Sequence, residues 1–100
     1  GKGIKVTQTA TAGDTIHTAH ATALDEIWLY ATNTSDSNVE LTIEWGETTV
    51  PDGNIVVTIG SKAGLYLVIP GFLLTNSLIV KAFADTANTI ILHGFVNRIS

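Results

Sequence analysis

The sequence predicts an all-β fold: a single-domain antiparallel β-sandwich of about eight strands that spans residues 1–100. Apolar residues recur with a period of two along most of the chain. Thr, Val and Ile dominate these segments, and isolated aromatic residues suit pleated strands. Polar turn-forming clusters separate the segments at short intervals. With 45% hydrophobic residues and no cysteine, the chain must be stabilised by packing of one core.

Eight segments fit this pattern. The predicted strands are Ile4–Ala10, Asp14–His20, Asp25–Asn33, Asn38–Gly46, Ile55–Gly60, Leu65–Ile69, Leu78–Ala84 and Thr89–Arg98. Turn chemistry separates them at Asn33–Ser37, Pro51–Asn54, Pro70–Gly71 and Asp85–Asn88. We favour a jelly roll, with a Greek-key sandwich or a small barrel as alternatives that periodicity does not distinguish.

The clearest strand is Asn38–Gly46, where apolar and polar residues alternate strictly. We expect Val39, Leu41, Ile43 and Trp45 to face the core, and Glu40, Thr42 and Glu44 to face water. The first 23 residues differ because they are rich in Thr and Ala and supply little core volume. Residues 1–23 are therefore interpreted as an edge strand or an extended arm.

Several other strands are apolar on both faces, which one small sandwich cannot bury. We expect Leu29, Leu41, Ile43, Leu67 and Val80 to form the core. The opposite faces carry the residues predicted to form a subunit or partner interface, which are Trp28, Tyr30, Val56, Tyr66, Val68, Ile91 and Phe95. Full burial of such side chains contributes about 1.5 to 3 kcal/mol each. These magnitudes make a stable homo-oligomer feasible.

Charge and hydropathy narrow the classes of partner. The formal net charge is −4, and the five cations are scattered along the chain. A nucleic-acid partner is not expected, because phosphate binding needs a basic patch. A membrane partner is not expected either, since the longest apolar stretch, residues 64–74, is interrupted by Pro70 and is shorter than the ~20 residues of a spanning helix. The sequence also contains no secretory signal pattern.

No residue pattern indicates catalysis, a cofactor or a metal. His17 and His20 have an odd spacing, which places their rings on opposite faces of a strand, and His93 is remote in sequence. Glu40 and Glu44 would lie roughly 13 Å apart along a strand, beyond the usual separation of about 5 to 9.5 Å between glycosidase carboxylates. We therefore predict that the protein is not an enzyme.

The acidic residues Asp14, Asp25 and Glu26 are interpreted as polar starts of strands that discourage edge pairing. The tripeptide Asn33-Thr34-Ser35 matches a glycosylation sequon, but its position favours a polar turn. None of these residues is assigned a functional role from the sequence.

Three strand segments resemble the small β-sandwich virion proteins of tailed bacteriophages, most closely the capsid decoration or cement type. They are Glu26–Thr34 (EIWLYATNT), Val39–Gly46 (VELTIEWG) and Gly94–Ile99 (GFVNRI). The resemblance implies a homotrimer on the outer capsid surface that bridges major capsid protein subunits, with residues 1–23 as the candidate capsid contact. It transfers no site residues.

Two alternatives remain open at this point. One is another phage structural component, namely a neck, tail or fibre-tip module. The other belongs to a different class: exposed Trp28, Tyr30 and Tyr66 could stack against sugar rings in a carbohydrate-binding module.

Overall fold

The computed structural model describes residues 3–48, 52–62 and 64–99, and within these ranges the chain forms eight strands and no helix. The strands are β1 (Ile4–Lys5), β2 (Asp14–Thr18), β3 (Leu24–Asn33), β4 (Val39–Trp45), β5 (Asn54–Ile59), β6 (Tyr66–Leu74), β7 (Ile79–Ala84) and β8 (Ile90–Ile99). The prediction of an all-β sandwich is confirmed. The turn expected at Pro51–Asn54 is described only from Asp52 onward, and Pro51 lies outside the described residues.

The strands form two four-stranded antiparallel sheets. Sheet I has the order β1-β8-β3-β6, and sheet II has the order β2-β7-β4-β5. Every connection except β4 to β5 passes from one sheet to the other, and these two orders are those of a jelly roll. The favoured topology therefore agrees with the observed strand order.

The core lies between the sheets and follows the alternation in each strand. In β3, buried Ile27, Leu29 and Ala31 alternate with half-buried Trp28 and Tyr30. The other strands contribute the buried residues Val39, Leu41, Ile43, Ile59, Ile69, Val80, Ala82, Ala84, Ile90 and Leu92. These aliphatic side chains fill the interior without any disulfide, since the chain contains no cysteine.

The Pro70–Gly71 pair corrects one predicted boundary. The sequence predicts a turn there, but β6 continues through it to Leu74 and pairs with β3 along its length. The pairing register shifts at two points, and Gly71 has a φ of 83° at one of them. Since β6 is an edge strand, proline removes no hydrogen bond that a further strand would need. Two β-bulges in an edge strand therefore replace the expected turn.

The bulges also change which residues of β6 face inward. Leu67, expected in the core, is 42% exposed, whereas Val68 packs against the core. An extra residue in one strand exchanges the two faces beyond that point. Ile69 remains buried as expected, so the exchange of faces affects only the part of β6 that precedes Ile69.

The N-terminal region forms short edge strands joined by a loop that crosses between the sheets. β1 pairs with β8 and β2 pairs with β7, at the outer positions of their sheets. Between them Val6 is fully buried, while residues 7–12 are exposed. A Cβ on Gly13 would lie 2.2 Å from the carbonyl oxygen of Ala82, so this close backbone approach requires glycine.

Candidate interaction surface

The outer side of sheet I carries an exposed aromatic surface. Register pairing places Phe95 of β8 opposite Trp28 of β3, and Tyr30 opposite both His93 of β8 and Leu67 of β6. Because directly paired residues share one side of a sheet, these side chains all face away from the core. We call Trp28, Tyr30, Leu67, Leu73, Ile91 and Phe95 the aromatic face.

Trp28 and Phe95 form the centre of this face. Their ring centroids are 5.9 Å apart, and their planes lie within 14° of parallel. The indole also lies against Gly71, where an added Cβ would be 2.7 Å from the ring. The bulge at Gly71 therefore makes room for Trp28, while Phe95 stays 53% exposed. Offset stacking of this kind stabilises an aromatic pair by about 0.5 to 1.5 kcal/mol beyond its area burial.

The indole N–H of the aromatic pair is hydrogen-bonded to a neighbouring carboxylate. The indole Nε1 of Trp28 donates to Oε1 of Glu26 at 2.8 Å, and Nδ2 of Asn97 donates to the same oxygen at 3.2 Å. Hydrogen bonds from Trp28 and then Asn97 stabilise the carboxylate and lower the pKa of Glu26. The orientation of Trp28 is thereby fixed by Glu26 as well as by its ring neighbours.

The seven residues predicted as an interface do not share one surface. Trp28, Tyr30, Ile91 and Phe95 lie on the outer side of sheet I. Tyr66 is 46% exposed at the start of β6, opposite Ala31. Val68 packs against the core because of the bulge, and Val56 is 55% exposed on sheet II. The sequence shows that these residues alternate with core positions, but it does not show which sheet each strand joins.

Two leucines extend the aromatic face beyond the sequence-based set. Leu67 lies opposite Tyr30 and Leu73 lies opposite Glu26, with exposed fractions of 42% and 49%. Sequence reasoning missed them because both positions depend on the bulges of β6. The one available signal was the Pro70–Gly71 pair inside an otherwise strand-like segment.

The outer side of sheet II is different, because its central residues are covered. Thr42 is 3% exposed and Glu44 is fully buried, which corrects the prediction that both face water. The Glu44 carboxylate accepts a hydrogen bond from the Gly13 backbone N–H at 2.6 Å and another from the Thr11 hydroxyl. Exposure was expected for Glu40, Thr42 and Glu44, and of these three residues only Glu40 is exposed. The loop between β1 and β2 provides these bonds to sheet II, 31 to 33 residues away in sequence.

An ion-pair cluster around one buried carboxylate connects the two sheets at one end. Asp25 of β3 is fully buried and accepts hydrogen bonds from Arg98 Nε at 2.7 Å and Nη2 at 3.1 Å. His17 Nε2 of β2 lies 2.8 Å from Asp25 Oδ2, and the His20 backbone N–H donates to the same oxygen. Arg98, and then His17, hold the pKa of Asp25 well below its usual range. Asp25 does lie at the start of β3, but β3 is an interior strand and Asp25 is buried, so the predicted role of discouraging edge pairing is wrong.

The remaining polar residues singled out from the sequence have structural contacts. Asn33 is 2% exposed; its Nδ2 donates to the carbonyls of Ser37 and Ile59, and its Oδ1 accepts from Ser35. The side-chain amide of the sequon asparagine is thus buried and hydrogen-bonded within the turn. Asp14 accepts hydrogen bonds from the Thr7 backbone N–H and hydroxyl.

Within residues 3–48, 52–62 and 64–99, no group of three or more His, Asp or Glu side chains is placed to hold a metal ion. The described residues also contain no helix that is long and apolar enough to cross a membrane. The aromatic face is the strongest candidate for a functional surface because its apolar side chains, such as Leu67, Leu73 and Phe95, are about half exposed.

Comparison with known proteins adds no relative. No protein-family model matches the chain, and neither a curated protein nor a solved structure is significantly similar to it.

Proposed function

We propose that the protein is a virion structural protein, a capsid decoration or cement protein that forms a homotrimer on the outer capsid surface. The observation that carries this proposal is the aromatic face: sheet I leaves Trp28, Phe95 and their apolar neighbours uncovered on a domain whose core is already complete. A contiguous apolar surface of this kind is typical of protein interfaces. The resemblance of three strands to phage virion proteins supplies the biological setting.

The energetics favour use of this face in an assembly. Side chains such as Leu67, Leu73 and Phe95 have about half their area left to bury, so each contributes about 1 kcal/mol on association. Association costs about 4 to 15 kcal/mol, so the six residues of the aromatic face offset the lower part of this range. Contacts to the capsid would add the remainder, which fits a subunit that joins both its copies and a larger surface.

The capsid contact is assigned to the N-terminal region, residues 1–23. Residues 7–12 form an exposed loop over the outer side of sheet II, where Thr11 binds Glu44. The loop is anchored at both ends, by Thr7 to Asp14 and by Gly13 to Glu44. An anchored exposed loop can bind the major capsid protein with little loss of conformational entropy.

Light scattering after size exclusion tests the assembly with a matched pair of variants. The wild-type protein should have three times the chain mass at micromolar concentration. Phe95→Asp should give a monomer because it places a charge in the aromatic face. Val56→Asp is the control, since Val56 is equally exposed but lies on sheet II, and this variant should remain trimeric.

Binding to capsids tests the biological setting. Phage heads that lack the protein should bind the wild-type chain in a sedimentation assay and resist heating better once it is bound. Replacement of the loop 7–12 by a Gly-Ser segment should abolish binding and leave the trimer intact. A monomeric wild-type protein that binds no head would contradict the proposal, and binding to necks, tails or fibres alone would assign it to one of those structures.

Carbohydrate binding is the second candidate, and one observation favours it. The Glu26 and Asn97 polar groups lie beside the stacked Trp28–Phe95 pair, as sugar recognition requires. A glycan array should then show a ligand whose binding is lost in Trp28→Ala and kept in Trp45→Phe, since Trp45 packs against Phe72 and the core. An array without any ligand would exclude this candidate.

A further inference from the structure

The four outer edges of the two sheets differ in how well they resist pairing with a further strand. β1 has only two residues, β2 has a register shift between Thr15 and His17, and β6 contains Pro70 and two register shifts. Short strands, bulges, prolines and charged side chains all block pairing at a sheet edge. β5, at one edge of sheet II, has none of these features in its six residues. Among the strands that the structure describes, it is therefore the edge most open to another strand.

The backbone of β5 presents a regular row of outward-facing hydrogen-bonding groups. The Trp45 N–H donates to the Gly53 carbonyl at 2.7 Å, just before β5 begins. Hydrogen-bonded and non-hydrogen-bonded pairs alternate in an antiparallel ladder, so the odd-numbered residues of β5 bond to β4. The N–H and C=O groups of the even-numbered residues point away from β4, and no other described strand pairs with them. These residues are Asn54, Val56 and Thr58.

The side chains of this edge suit another copy of the same acidic chain. The even-numbered residues of β5 lie on the outer side of sheet II, where Val56 is 55% exposed. The net charge of the chain is −4, so two copies repel each other wherever like charges meet. β5 carries no charge and is rich in β-branched residues, and the exposed Glu40 lies one strand further from the edge. Two β5 strands can therefore pair without like charges opposite each other.

We propose that β5 pairs antiparallel with β5 of a second copy of this chain, about a two-fold axis at Val56, so that the two copies of sheet II form one continuous sheet. This register places Val56 opposite its own counterpart and Asn54 opposite Thr58 of the second copy. Each of these pairs exchanges both N–H···O=C bonds, so every outward-facing backbone group of the edge is used. A shift of the register by two residues leaves one end of the row unpaired. The contact is isologous and closes as a pair.

This contact differs from the proposed trimer contact, which uses the aromatic face of sheet I. It requires no capsid, and its test does not depend on the proposed role in the virion. One pair of short strands is a small interface, and small interfaces are typical of weak association. We therefore expect pairing through β5 to appear only well above the micromolar concentrations at which the trimer is measured.

Disulfide cross-linking tests the register, because the chain contains no cysteine of its own. In the proposed pair the two Cα atoms of residue 56 lie about 5.5 Å apart, within the usual range for a disulfide. Val56→Cys should therefore form a disulfide-linked pair of chains under mild oxidation. A mixture of Asn54→Cys and Thr58→Cys should cross-link one variant to the other, since these positions lie opposite each other. Non-reducing gels measure both rates.

Thr58→Cys alone is the matched control, because residue 58 is also exposed and lies on the same strand and the same side as Val56. Two copies of residue 58 would lie roughly 13 Å apart along the paired strands. This variant should cross-link at least about ten-fold more slowly than Val56→Cys, and equal rates would overturn the proposal. Addition of Phe95→Asp should leave the Val56→Cys cross-link unchanged. Loss of the cross-link would assign the contact to the aromatic face and overturn the proposal as well.

A second measurement uses the backbone N–H of Val56, which points away from β4. Val56→Pro removes this donor and none of those that bind β4, so the sandwich should fold and lose the pairing. Val56→Asp should also lose it, because two like charges would lie opposite each other. In sedimentation equilibrium, the mass of the wild-type protein should rise between micromolar and millimolar concentration, whereas the mass of both variants should stay constant. A constant wild-type mass over this range would overturn the proposal and leave the edge to a strand of another protein.

Discussion

The two outer faces of the sandwich differ, although strands in both sheets begin from similar alternating sequences. On sheet I, Trp28 and Phe95 stack on each other but remain open to solvent along β3 and β8. On sheet II, Glu44 occupies a central outward position and is covered by the chain's own β1–β2 loop. One face is closed by intramolecular hydrogen bonds, and the other keeps apolar side chains exposed. The difference teaches that outward alternation does not by itself identify an interface.

Loss of the Asp25 carboxylate, which binds Arg98 and His17 between the sheets, should have the largest effect on stability. Asp25→Asn replaces the carboxylate that Arg98 and His17 share, so it should lower the melting temperature more than Glu44→Ala or Gly71→Ala does. Asp36→Asn is the control, because Asp36 pairs with Lys62 at the exposed surface. Thermal unfolding followed by circular dichroism measures both. Equal melting temperatures for the two variants would show that the cluster does not hold the sheets together.

The same residue gives a pH dependence with a defined sign. Because the pKa of Asp25 is lowered in the folded state, its contribution to stability is complete above the unfolded value of about 3.9 and is lost as the pH falls below it. Melting temperatures between pH 2 and pH 5 should fall more steeply in the wild-type protein than in Asp25→Asn. Parallel curves for the two proteins would contradict this assignment.

One residue, Glu44, binds the β1–β2 loop to the outer face of sheet II. Glu44→Ala removes two hydrogen bonds to a carboxylate and leaves the Gly13 N–H without its acceptor, which should reduce the free energy of unfolding by about 2 kcal/mol. Glu40→Ala, on the same strand and the same side, should change it by less than about 0.5 kcal/mol because Glu40 is exposed. Urea unfolding measures both values, and similar losses would show that the loop does not close this face.

The support of Trp28 on sheet I can be tested with two glycines that have similar φ angles. Gly64→Ala should cost about 1 kcal/mol from backbone strain alone, since no atom lies near its Cβ position. Gly71→Ala adds a clash 2.7 Å from the indole, so it should cost more and move the tryptophan fluorescence. If the two variants have the same stability and emission spectrum, then Gly71 does not determine the position of Trp28.

The sequence alone was sufficient for the fold class and for most strand positions. In β3 and β4 the alternation of apolar residues correctly identified Leu29, Leu41 and Ile43 as core. Burial on one side of a strand requires a period of two, so this information is local. Prediction failed at Leu67 and Val68, because one bulge residue exchanges the two faces.

The partners of the polar residues depended on the tertiary structure. Asp25 and Arg98 are 73 residues apart in sequence and meet because β3 and β8 are adjacent in sheet I. Glu44 is buried because a loop more than 30 residues before it crosses between the sheets. Local patterning determined which residues are apolar and where strands form, since those properties depend on neighbouring side chains. Strand order decided which outer face is covered and which polar groups are paired, because both depend on contacts between distant segments.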